Sequence, residues 1–135
     1  MTTRLLALEK DLFFSVKIRD TLRHHDYDVI VARNLTGFEQ QLQADPRPAL
    51  AIINTSIAGV DWETAIRQAR AQEIPVLAFG SHVDLEAQKK ARAAGAQRVL
   101  ANSRFSSDMP GVVKRMLQAP DALTNEEPED VSEEH

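Results

Sequence analysis

Residues 94–105, AGAQRVLANSRF, carry the reading on which the fold turns. Gly95 follows an Ala93-Ala94 pair and is the residue type best suited to stop a helix in a left-handed conformation. Three residues later the short run Arg98–Leu100 begins, and the small and polar residues Ala101–Ser103 end it before another amphipathic stretch opens. Working toward the N-terminus, the same alternation recurs around Pro75–Phe79, Leu50–Ile53, Val29–Val31 and Leu5–Leu8. Each run is three to five residues long, and most are apolar throughout. A strand with one wet face alternates apolar and polar residues, so continuous apolar runs predict strands covered on both faces in a parallel sheet.

The intervening segments have helical spacing. Phe14, Ile18, Leu22 and Thr21 share one face, with Lys17, Arg19 and Arg23 turned elsewhere. Phe38 and Leu42 stand four apart within Thr36–Gln43, and Trp62, Ile66 and Ala69 face inward from a helix over Asp61–Ala71. A fourth helix starts after Ser81 with Asp84 as its cap and ends at Gly95. A fifth opens around Ser106–Pro110, with Met109, Val112, Val113, Met116 and Leu117 inward, and Pro110 falls where no internal N–H is needed. Five βα units predict an α/β fold, a flavodoxin-like (βα)5 three-layer sandwich with strand order 2-1-3-4-5. Ligands of such sheets lie beyond the carboxyl ends of the strands, here Glu9–Asp11, Asn54–Ser56, Gly80–Ser81 and Ala101–Ser103.

Composition narrows the function classes. The chain has 135 residues, the size of one domain, and no cysteine, so disulfides and thiolate metal sites are ruled out. No stretch approaches the roughly 18 apolar residues of a membrane span, and the start is too quickly charged for a signal peptide. The expectation is a cytoplasmic protein without membrane contact. From Ala119 to His135 there are seven acidic residues and no Lys or Arg, leaving 16 basic and 13 acidic residues in the first 118. That division predicts a domain over 1–118 and a disordered acidic tail over 119–135, and it argues against a nucleic-acid partner. His24, His25, His82 and His135 form no ligand pattern, and the serines lack His–Asp partners for nucleophilic catalysis. Without a Walker lysine loop or a G-x-G-x-x-G, a phosphate cradle has no support. No cofactor, resident metal or enzymatic activity is expected.

Over residues 3–118 the chain resembles the receiver domain of two-component response regulators. LLALEKD (5–11) is similar to the first strand and its acidic pair, and AIINTSIAGVDW (51–62) to the strand ending in the phosphoacceptor aspartate. IPVLAFGS (74–81) resembles the strand ending in the switch Thr or Ser, and AGAQRVLANSRF the fifth-strand signature Ala-Gly-Ala-Asp-Asp-Tyr-Leu-x-Lys-Pro-Phe. The resemblance implies a site in which acidic residues hold Mg²⁺ while a Lys and a hydroxyl neutralise the phosphoryl group. Five of its positions depart together. The acceptor is Asn54, the acidic pair reads Glu9-Lys10 with Asp11 next, the switch hydroxyl falls on Gly80 with Ser81 beside it, the Lys on Asn102, and the switch aromatic on Val99. An amide cannot form an acyl phosphate, so the pocket is read as a degenerate phosphoacceptor site. Lys10 is expected either to point to water or to replace the metal by pairing with Glu9 or Asp11.

The resemblance also implies a partner surface on the fourth helix, fifth strand and fifth helix. Lys89, Lys90, Arg92, Arg98, Val99, Arg104, Lys114 and Arg115 fall there, and the expected partner is a signalling protein or a second copy of the chain. The expected function is a stand-alone pseudo-receiver in phosphorelay-type signalling, acting by phosphorylation-independent contact. Two alternatives stay open: a small-ligand or nucleotide binder using the vacated pocket, and a metal-dependent phosphoacceptor using Asp11 or Asp61.

Overall fold

The computed structural model describes residues 2–121. Five strands, β1 (Thr3–Leu8), β2 (Tyr27–Ala32), β3 (Leu50–Asn54), β4 (Val76–Gly80) and β5 (Arg98–Ala101), pair in parallel in the order β2-β1-β3-β4-β5. Ile53 lies beside Leu8 on one side and Ala78 on the other, so the strand ends at Leu8, Asn54, Gly80 and Ala101 gather along one edge. Side chains of a strand alternate between faces, so each apolar run feeds two cores. Leu6, Leu8, Ala51 and Ile53 pack under α2 (Leu35–Leu42), α3 (Trp62–Ala71) and α4 (Leu85–Ala94). Leu5, Ala7, Leu50 and Ile52 pack under α1 (Leu12–Arg23) and α6 (Met109–Gln118). This is the flavodoxin-like sandwich and strand order that the sequence predicts.

The helix ends follow local chemistry. Asp11, Asn34, Asp61 and Asp84 each accept a backbone N–H three residues on, the usual N-cap bond. Gly95 closes α4 with φ +120°, and a Cβ there would stand 2.7 Å from Cγ of Arg70.

Two features differ from the sequence reading. The fifth helix expected to open around Ser106–Pro110 is α6, starting at Met109, but a short helix the sequence reading lacks, α5 (Asn102–Ser107), precedes it, with a break at Asp108. Pro110 has no N–H for the carbonyl of Ser106, so one helix cannot run through from Asn102. Arg98 and Val99 are 2% and 3% exposed and belong to the interior, not to an accessible partner face. The disordered tail expected over 119–135 falls mainly on residues outside the described ones; at Asp121, Oδ1 accepts Gln97 Nε2 at 2.5 Å. Residues 122–135 lie outside the described residues. Among the described residues no helix is long and apolar enough to cross a membrane.

Gly95→Ala meets both a left-handed backbone and the Arg70 side chain, whereas Gly59, at φ +76°, has open space around it. Urea denaturation is expected to show Gly95→Ala less stable by about 1–3 kcal/mol, with a smaller loss for Gly59→Ala. Equal losses would mean that the Arg70 contact carries no weight.

Candidate functional site

The carboxyl edge of the sheet is organised around Glu9. Its backbone N–H donates to Ala32 O at 3.0 Å, which continues the β1–β2 pairing by one residue and draws the carboxylate inside. Glu9 is 1% exposed. Its Oε2 accepts the backbone N–H groups of Lys10 and Asp11 at 3.0 and 3.1 Å. Asn54, at the end of the neighbouring strand, donates from Nδ2 to Oε1 at 2.8 Å and to Oε2 at 3.0 Å. The other end of the same amide accepts Ser56 N–H at 2.7 Å and shapes the turn after β3. Asn54 is thus both a turn-forming amide and the partner of a buried carboxylate.

The neighbours of this pair are occupied in other ways. Asp11 Oδ1 caps α1 by accepting Phe14 N–H at 2.9 Å. Lys10 reaches away from both acids, its Nζ donating to Ala58 O at 3.2 Å. The expected pairing of its ammonium with Glu9 or Asp11 is therefore replaced by a bond to the loop after β3, and the donor to Glu9 is the Asn54 amide. Asp61 caps α3, and the hydroxyl and backbone N–H of Thr64 hold its carboxyl below the usual aspartate range, with Arg67 adding to the effect and desolvation opposing it.

A cleft of about 290 Å³ opens above the pair, lined by Glu9, Asp11, Phe14, Asn54, Phe79 and Asn102. The Phe79 and Phe105 rings stack with centroids 4.6 Å apart, and Phe14 leans on Phe79 at 5.5 Å. Of the expected pocket residues, the fold brings together Glu9, Asp11, Asn54 and Asn102, while Lys10, Gly80 and Ser81 do not line the cleft. Ser81 accepts Val83 N–H through its hydroxyl at 3.3 Å, so its oxygen shapes the turn before α4.

Gly80 has a specific cause. Asn54 pairs with Phe79, which sets Thr55 beside Gly80, and a Cβ on Gly80 would run into the Thr55 hydroxyl. Thr55 is buried, and that hydroxyl donates to Phe79 O at 3.3 Å. The side chain of Thr55 thus fills the space a switch hydroxyl on β4 would need. Sequence reading missed Thr55, and it assigned Phe14 and Phe79 only to the core. A β-branched residue one step past a strand end, opposite a glycine one step past its neighbour's pairing partner, was the available signal for Thr55.

No family model matches the sequence, and no curated protein matches it. Solved structures match closely in shape. A putative response regulator from Chloroflexus aurantiacus superposes with TM-score 0.77 at 23% identity, over 87% of this chain and 99% of that one. A CheY-like receiver domain protein from Methanospirillum hungatei gives 0.77 at 15%, over 90% and 98%. The chemotaxis response regulator CheY4 of Vibrio cholerae gives 0.72 at 17%, over 85% and 98%. The fold is that of a receiver domain.

The Mg²⁺ expected of phosphorylated receivers does not fit the residues that this receiver fold presents. A hard cation needs several oxygens carrying compensating charge. Here the space between positions 9 and 54 is bridged by an N–H donor, and Asp11 is turned to its helix cap. Among the described residues no group of three or more His, Asp or Glu side chains is placed to hold a metal.

Gly80→Ser is expected to cost about 1–3 kcal/mol through overpacking, and Thr55→Ala in the same chain is expected to recover most of it. Thermal denaturation of the two single variants and the double variant measures the coupling. Additive losses would show that Thr55 and Gly80 do not share that space.

Proposed function

We propose that this chain is a pseudo-receiver, a signalling module on the receiver fold that works by protein contact without accepting a phosphoryl group. The observation that carries this reading is the direct bond between Asn54 and Glu9. The side chain at the acceptor position is an amide with no nucleophilic oxygen, and it lies where a cation would have to join the two strands. The remaining carboxylates nearby, Asp11 and Asp61, are engaged as helix caps, which weighs against either as a substitute acceptor. A nucleotide is disfavoured for a different reason, since Glu9 and Asp11 would face its phosphates across the cleft.

The contact surface proposed for this module is the outer side of α4 and α6. Lys89, Lys90 and Arg92 on α4 and Lys114 on α6 are exposed, and Arg115 is tied to Asp108 at 3.3 Å. Arg104 is half-buried. An acidic surface on a signalling protein, or on a second copy of this chain, would complement these cations.

With acetyl phosphate and millimolar Mg²⁺, the protein is expected to stay unlabelled and calorimetry to show no specific Mg²⁺ heat. Asn54→Asp alone is expected to stay unlabelled as well, because Lys10 and Asn102 still depart from the acceptor pattern. Labelling should require Lys10→Asp and Asn102→Lys in addition. Robust labelling of the wild type or the single variant overturns the reading.

The surface has its own test. Replacing Lys89, Lys90 and Arg92 by Glu is expected to weaken partner capture about tenfold, since exposed charge pairs contribute about 0–1 kcal/mol each. Circular dichroism should remain unchanged. Undiminished capture by the triple variant would place the interface elsewhere.

A further inference from the structure

The two edges of the sheet are finished differently. On β5, Arg98, Val99 and Leu100 are buried. On β2, Tyr27, Ile30 and Val31 are only half-buried, and Asp28 and the flanking Arg33 are exposed. β2 keeps register with β1 over six residues, with no bulge to turn it away. Its sequence, YDVIVA, holds no Pro or Lys, and its one charge, Asp28, is tied to Arg4 at 3.6 Å. Soluble proteins usually blunt an edge strand with just those devices, because its free amide groups otherwise template pairing.

The backbone shows which groups are free. Glu9 N–H donates to Ala32 O and Thr3 N–H to Asp26 O, so the even-numbered residues of β2 turn their carbonyls toward β1. Successive residues of a strand point their amide groups to opposite sides, which leaves Tyr27, Val29 and Val31 facing outward. Among the described residues no strand or loop pairs with them there.

The edge also complements itself when reversed. Arg33, one residue past its carboxyl end, has no ion pair or side-chain hydrogen bond among the described residues. At the amino end a cleft of about 560 Å³ is lined in part by Arg19, Asp20, Arg23, Asp26, Tyr27 and Asp28. Asp20 holds Arg23 at 3.6 Å and Asp28 holds Arg4, which leaves Asp26 and Arg19 without an ion pair. Asp26 adjoins Tyr27 in the chain, so a carboxylate and a phenol ring stand together at this end. Both attract a guanidinium.

We propose that the chain forms a homodimer by antiparallel pairing of two β2 edges about a twofold axis through Ile30, joining two five-stranded sheets into one. Val29 then exchanges backbone hydrogen bonds with the partner's Val31, and Tyr27 and Asp26 receive the partner's Arg33. The axis repeats each contact. The interface lies at the opposite edge of the sheet from β5, so the outer side of α4 and α6 stays free in both copies.

The absence of cysteine makes engineered cross-linking of the full chain a direct test. Two Ile30 residues would face each other at a non-hydrogen-bonded position with Cα atoms about 4.5 Å apart, within the disulfide range of about 4.4–6.8 Å. Ile30→Cys is therefore expected to form a disulfide dimer on mild oxidation. Asp28→Cys, though exposed, would lie roughly 13 Å out of register with its copy and is expected to stay monomeric on denaturing gels. Sedimentation equilibrium of the wild type should show a monomer–dimer equilibrium. Val31→Pro removes an outward N–H without touching the pairing to β1 and should leave a monomer. Arg33→Glu, which acts twice per dimer, should raise the dimer Kd about tenfold. Circular dichroism of Arg33→Glu should match the wild type, and if Val31→Pro fails to fold, Arg33→Glu and the cysteine pair decide. Lys89→Glu, Lys90→Glu and Arg92→Glu together should leave the dimer intact, which separates this interface from the basic surface. A wild type that stays monomeric, cross-linking as ready at Asp28→Cys as at Ile30→Cys, or a dimer indifferent to Arg33→Glu overturns the proposal.

Discussion

A parallel sheet covered by helices on both faces can place polar side chains on its strands only where the strands stop. Along β1, β3 and β4 the interior positions are Leu, Ile, Ala, Val and Phe, and the chemistry is displaced to Glu9, Asn54, Thr55 and Ser81 at one edge. Parallel pairing brings those ends together because every strand points the same way. The cleft is therefore a consequence of how the sheet is buried, and its character depends on which polar residues meet there.

Glu9 shows how much that meeting matters. A buried carboxylate is costly unless hydrogen-bonded, and here two backbone N–H groups and one side-chain amide meet the cost. The amide comes from Asn54, forty-five positions away in sequence and one strand away in space. A carboxylate at position 54 would place like charge against Glu9, and a cation would then be needed between them. The amide removes that need. One pair thus stabilises the strand ends and bridges the space between them.

The same economy appears at Thr55 and Gly80, where a single hydroxyl occupies the volume of a missing side chain. Departures from the receiver pattern at these positions are mutually adjusted: Thr55 suits Gly80, Asn54 suits Glu9, and Lys10 is bonded to Ala58. A set of unrelated losses would leave buried polar groups without partners around the cleft. Glu9, Asn54 and Thr55 each have hydrogen bonds.

The sequence by itself determined the layered fold, because continuous apolar runs and capped amphipathic segments are local patterns. The strands, the Asp84 cap and the Gly95 stop all follow from residues a few positions apart. It also grouped Glu9, Lys10, Asp11, Asn54, Gly80, Ser81 and Asn102 at the strand ends, and of these Glu9, Asp11, Asn54 and Asn102 line one cleft. Tertiary structure alone decided where the side chains go. Whether Lys10 turns to Glu9 or to Ala58 depends on the loop after β3, and nothing near residue 10 specifies it. Arg98 and Val99 read as surface residues in a basic stretch, yet both lie within β5, where the elements packed around that strand bury them. The break at Asp108 depends on Pro110, a local signal, whereas the conflict between Thr55 and a side chain at position 80 exists only because two strands lie side by side. Local preference writes the elements, and contacts between residues distant in sequence assign each polar group its partner.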